Sequence, residues 1–226
     1  MTNVGRGFGD DATLATVITA LQGLALADGD GMRHFHQVYT GVTIEVARRV
    51  DAGAFEDPAF MVGLDVAFAG LYLDAVQAPA TAPRAWQVVF DKRLRLDIEP
   101  LRFALAGMNA HINRDLAVAL DRACTRLGGT LERDSARCRD FTQINAVLGD
   151  LMAQAKAQLF SPVDHLVDAA MGHLDDLLEV WSIGAARDNA WTHGALLRRL
   201  TDDDDRMHHL RSIDRTASLI GRLILL

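Results

Sequence analysis

IEPLRFALAGMNAHINRDLAVALDRACTRL, residues 98–127, decides the fold. Leu101, Leu105, Met108, Ile112, Leu116, Ala119 and Ala123 recur along it at spacings of three and four, the pattern that lines one face of a helix. Gly128-Gly129 stops it. So long an apolar row predicts a central helix that must be covered by others. Alternation of period two is nowhere sustained and no segment repeats at a fixed interval, so neither a β-rich fold nor a solenoid is expected. Of 226 residues, 50% are hydrophobic, enough for one large core, and only 6% are aromatic, a balance that favours helix packing. The expected fold is all-α: a single domain over residues 11–226, built as a bundle of about seven to nine helices around the long one, after a Gly-rich mobile tail at 1–10.

Outward from this helix, punctuation marks the others. Leu14, Val17, Ile18, Leu21 and Leu24 have helical spacing, ended by Asp28-Gly-Asp-Gly, and Met32, Phe35, Tyr39, Val42 and Val46 share the face of a second helix. Asp57-Pro58 supplies an N-cap and a first-turn proline for a helix to about Gln77. APATAP then breaks the chain before a short amphipathic piece around Trp86, Val89 and Phe90. Beyond Gly129, helices are expected over about 140–160 and, from Ser161-Pro162, over about 163–200, where the pattern admits a break at Ser182 or Gly184. Thr201 and the four aspartates after it cap a last helix ending in SLIGRLILL.

The formal charge of −7 argues against nucleic acid, whose binding draws on clustered Lys and Arg. Cys124 and Cys138 form neither a disulfide framework nor a C-x-x-C pair. No apolar h-region opens the chain and no apolar run of spanning length is free of charge, so a cytoplasmic protein without a membrane partner is expected. The apolar C-terminal helix admits a homo-oligomer or closes its own core.

Function is sought in polar residues at positions where a helix expects apolar ones. On the central helix, Asn109 and Asp115 fall on opposite flanks of the apolar row, with His111 and Asn113 at its margins. His111 and Asp115 are one turn apart, so a carboxylate meets an imidazole and can fix its tautomer, as a general base or a metal ligand requires. The same pair also serves as an ordinary hydrogen bond at a helix crossing. Asp65 has Met61, Tyr72 and Val76 within two turns, surroundings that raise the pKa of an unpaired carboxyl. Asp188 continues the row Leu174, Leu178, Trp181 and Ala185, with Arg187 pointing away and Trp191 on its flank.

GMNAHINRDL at 107–116, LDVAFAGLYLDAV at 64–76, INAVL at 144–148 and ARDNAW at 186–191 together resemble a bacterial family catalogued as domain of unknown function 5995. The resemblance runs nearly the length of the chain, in order. The matching positions are Asn109, His111, Asn113 and Asp115, with Asp65, Arg187 and Trp191. It brings no reaction with it.

Other signals are weaker. His34 and His36 do not share a helix face, His208 and His209 follow an acidic run, and there is no H-E-x-x-H. Asp175, Asp176 and Glu179 have the look of the magnesium-binding motif of a terpene cyclase, but fall away from the apolar row, and no second motif follows. Nucleophile elbow, P-loop and dinucleotide fingerprint are missing, so no nucleotide or redox cofactor is expected.

The leading expectation is an enzyme acting on a small organic substrate by hydrolysis, elimination, isomerisation or cyclisation. His111 would be general acid or base and Asp115 its orienter, with Asp65 and Asp188 on the same pocket. Asn109, Asn113 and Arg187 would bind substrate, with Tyr72 and Trp191 in the pocket wall. A divalent metal, if used, would take His111 and Asp115. The alternative is a non-catalytic helical module that binds a ligand or partner, its polar cluster serving to fix helix register.

Overall fold

Local rules set the helix starts. In the computed structural model, which describes residues 8–9, 11–159 and 182–226, Thr13 caps α1 (Leu14–Gln22) by accepting from Thr16 N at 3.2 Å. α2 spans Met32–Asp51. The Asp57 carboxylate accepts from Phe60 N at 3.0 Å to open α3 (Pro58–Gln77), with Pro58 where no N–H is needed. A single turn at Pro79–Thr81 leads to α4 (Arg84–Phe90).

The expected central helix is present with one modification. It runs as α5 (Pro100–Ala110), a π turn (His111–Asp115) and α6 (Leu116–Leu127), and Gly128, at φ 74°, ends it. In the π turn, Leu116 N–H bonds to His111 O, five residues back, which inserts one residue into the helical ladder. The apolar row explains why. Met108, Ile112 and Leu116 are two spacings of four in succession, and each overshoots a full turn by about 40° in an ideal α-helix. The wider turn absorbs that drift and keeps Leu116 on the core side.

Three more helices follow: α7 (Ala136–Leu159), α8 (Ile183–Arg199) and α9 (Asp203–Ile224). Ser182 caps α8 through Ala185 N at 3.2 Å, and Asp202 caps α9 through Asp204 N and Asp205 N at 2.9 and 3.0 Å. The protein is thus all-helical, with no strand and eight helices among the described residues when α5 to α6 is taken as one. The expected tail at 1–10, the helix start at Ser161-Pro162, the row Leu174, Leu178 and Trp181 and the acidic Asp175, Asp176 and Glu179 lie largely or wholly outside the described residues.

α6 is flanked by α3 and α8, α5 by α2 and α9, and α4 closes against α9. α3 is buried on nearly every side, as a helix apolar all round should be. By length and composition alone it would span a membrane, but 67% of its apolar window is buried inside the fold, as in a core helix. Gly107 lets α2 come close: a Cβ there would stand 2.5 Å from Cγ of Phe35. Carboxylates tie distant elements together. Asp140 accepts from Glu56 N and Asp57 N at 3.0 and 2.7 Å, and Asp214 from Arg84 N and Ala85 N at 3.1 and 3.0 Å.

Candidate functional site

The π turn carries the polar motif into the core. His111 and Asp115 are 1% and 0% exposed, and His111 Nδ1 lies 3.1 Å from Asp115 Oδ2. The same oxygen accepts from Trp86 Nε1 at 2.7 Å, while Arg114 Nη1 donates to Oδ1 at 2.7 Å. An indole N–H and a guanidinium can only donate. Burial alone would raise the Asp115 carboxyl, but Arg114 and His111 outweigh it and hold it below the ordinary carboxylate range. Asp115 is therefore an ionised acceptor. Burial keeps the His111 imidazole below its usual pKa, with Asp115 opposing only in part, so the ring is neutral at pH 7. A neutral imidazole facing a carboxylate donates from Nδ1 and carries its lone pair on Nε2.

The ring borders a cavity. His111 Nε2 has no hydrogen-bond partner among the described residues, and the ring is gripped by aromatics: Phe68 stacks on it at 3.5 Å between centroids and Tyr39 meets it edge-on at 4.6 Å. The cavity, of about 50 Å³, lies between α2, α3, the central helix, α7 and α8. Its wall is mostly aliphatic and aromatic, and His111, Asp65, Arg187 and Tyr39 supply its polarity.

Burial pushes the Asp65 carboxyl up to about 7, with Arg187 pulling the other way, and Oδ2 has no hydrogen-bond partner. Arg187 is drawn down by burial to about 9, with Asp65 opposing. Its guanidinium is held by Asn145 Oδ1 and the Phe141 carbonyl, both at 2.6 Å, and lies 4.0 Å over the Phe141 ring. The Tyr39 phenol is lifted well above its usual value by burial and by Asp65. At neutral pH the cavity thus holds a base in His111, a carboxyl near its midpoint in Asp65 and a cation in Arg187.

Several sequence expectations need correction. Asp188 is not on this cavity: it faces outward, paired with exposed Arg133. Arg187, expected to point away, is the inward residue. Ser182 is extended at φ −81°, ψ 118°, so α8 sets its own helical phase from there, and Ala186, Arg187, Ala190 and Trp191 turn inward. Asn109 and Asn113 face α9 instead of the cavity. Asn109 Nδ2 donates to the Ala217 carbonyl at 2.8 Å, and Asn113 Nδ2 to Asn109 Oδ1 at 2.9 Å.

Tyr72 is buried beside His111 but bonds His36 Nδ1 at 3.1 Å, and Trp191 packs on Phe60 and Phe141, so neither forms the cavity wall. His111 and Asp115 do not suit a shared metal, because they bond each other and both carboxylate oxygens are taken. Among the described residues no group of three His, Cys, Asp or Glu side chains is placed to hold one. Sequence reasoning missed Tyr39, Trp86 and Arg114 as neighbours of the site. Only Arg114 had a local signal, its adjacency to Asp115.

Comparison with known proteins bears on the family alone. A family model described as "Family of unknown function (DUF5995)" matches residues 12–226. No curated protein and no solved structure matches the chain.

Proposed function

Since the chain belongs to the DUF5995 family, a family of unknown function, we propose from its chemistry that it is an acid–base enzyme moving protons on a small, mostly apolar organic molecule. The observation that carries this is the buried His111–Asp115 pair, its Nε2 without a hydrogen-bond partner among the described residues, on the wall of a cavity that Asp65 also lines. His111 Nε2 takes a proton from substrate carbon or oxygen. Asp115 stabilises the imidazolium that forms, and Asp65, half protonated near pH 7, returns a proton at a second position. Such a pair favours isomerisation or elimination. It needs no nucleotide or redox cofactor.

Exchange of substrate hydrogen with solvent tests this without knowledge of the product. The protein is incubated in D2O with a panel of small 2-oxo acids, carboxylic acids and ketones that raise its melting temperature. At least one should exchange a C–H for C–D, and His111→Gln should slow that exchange roughly 10²–10⁴-fold. Compounds that bind and exchange no faster than in buffer would contradict an acid–base role.

The second reading is a non-catalytic binding module whose polar residues hold helices in place. It draws on the chain of bonds from Asn113 to Asn109 to the Ala217 carbonyl, which fastens the π turn to α9. It predicts binding without exchange.

A further inference from the structure

We propose that the cavity takes an organic monocarboxylate with a short apolar body, its carboxylate seated between Arg187 and Asp65. This deepens the enzymatic reading by naming a substrate class, and rests on it only for the claim that the bound acid is transformed.

Arg187 carries the case. It is 5% exposed, and a buried guanidinium ordinarily stands against a carboxylate. Here its partners are neutral: Nε donates to Asn145 Oδ1 and Nη2 to the Phe141 carbonyl, while the plane rests on the Phe141 ring. These contacts fix the fork without neutralising it. Nη1 makes no hydrogen bond among the described residues. Asp65, the acid on the same cavity, forms no ion pair with Arg187, and its Oδ2 is unpartnered.

A carboxylate fits both groups at once. One oxygen accepts from the guanidinium, and the other accepts from Asp65 once that side chain is protonated. An ammonium would suit Asp65 but be repelled by Arg187. A dianion would bring a second charge that this wall does not match. The rest of the lining, including Val42, Val46, Leu64, Ile144 and Leu148, suits an aliphatic body, and about 50 Å³ keeps it to a few carbons. An anion beside Arg187 removes the charge that favours ionised Asp65, so binding draws a proton onto that carboxyl.

Calorimetry on the full chain tests this with acetate, propionate and isobutyrate against their primary amides, at pH 7.5 in two buffers of different ionisation enthalpy. Expected are carboxylates bound at least about tenfold more tightly than amides and net proton uptake of up to about three-quarters of a proton per ligand at this pH. Asp65→Asn should abolish the uptake while binding persists, and Arg187→Gln should erase the preference. Amides bound as tightly as acids, no binding by either series, or binding without proton uptake would each overturn the proposal. The wild-type comparison stands even if Arg187→Gln does not fold. Hydrogen exchange in the wild type, set beside carboxylate preference, separates the two readings. Carboxylate preference retained, with no hydrogen exchange in the wild type, sinks the enzyme and keeps the site. Exchange on neutral ketones without carboxylate preference does the reverse.

Discussion

His111 Nδ1 lies 3.1 Å from Asp115 Oδ2 across a single π turn, both side chains sealed from solvent. The pair works because Asp115 satisfies three donors at once, those of Trp86, His111 and Arg114. Asp115→Asn keeps the shape but replaces one acceptor oxygen with a donor, which then confronts other donors in a buried place. We predict a loss of about 3 kcal/mol in urea unfolding at pH 7. A loss under about 1 kcal/mol would mean the three donors find other partners.

Asp65 sets a pH dependence of stability. Its folded value of about 7 stands above the ordinary value of 3.8, so between these values the folded protein binds more protons than the unfolded chain, and stability attributable to this group falls as pH rises. His111 has the opposite sign. Its folded value is depressed below 6.5, so stability from that group falls as pH drops through 6.5 toward the folded value. Asp65→Asn removes only the first effect. Relative to wild type it should therefore gain about 3 kcal/mol between about pH 5 and about pH 8, checked by denaturation across that range. A difference independent of pH would place Asp65 outside this titration.

Asp188 is the control for geometry. Its partner Arg133 and its own side chain are 53% and 58% exposed, and an exposed pair contributes little. Asp188→Ala should change stability by less than about 1 kcal/mol and leave hydrogen exchange into substrate untouched. A collapse of exchange in this variant would restore Asp188 to the site.

Asn109 predicts the converse. Removing its side chain in Asn109→Ala leaves the Ala217 carbonyl without its 2.8 Å donor in the core and opens a small void. The expected cost is about 2 kcal/mol in thermal or chemical unfolding, with carboxylate affinity changed little. A loss of affinity without loss of stability would instead make Asn109 a ligand contact.

What could be read from the chain was local. The row from Leu101 to Ala123 announces its helix, and the four-residue step from His111 to Asp115 brings those side chains together wherever that helix lies. Asp65 shows itself by its apolar neighbours in the same way. The bonds completing the site were not local: Trp86 reaches Asp115 across 29 positions, Arg187 reaches Phe141 across 46, and Asn109 reaches Ala217 across 108. Nothing in a helical period encodes those meetings. Arg187 and not Asp188 faces inward because α8 starts its own helical phase after the extended N-cap Ser182. The π turn left a trace in the doubled spacing through Ile112, one that is easily passed over as ordinary helix.

The central claim is that His111, on the cavity wall, keeps a bare, unprotonated Nε2. Nitrogen-15 NMR of histidine-labelled protein measures this directly. The resonance pair of His111, assigned with His111→Gln, should report a neutral ring protonated on Nδ1 at pH 7, still more than half neutral at pH 6.5. Adding propionate should shift the Nε2 signal. A ring protonated on Nε2, or positively charged at pH 7, would contradict the account.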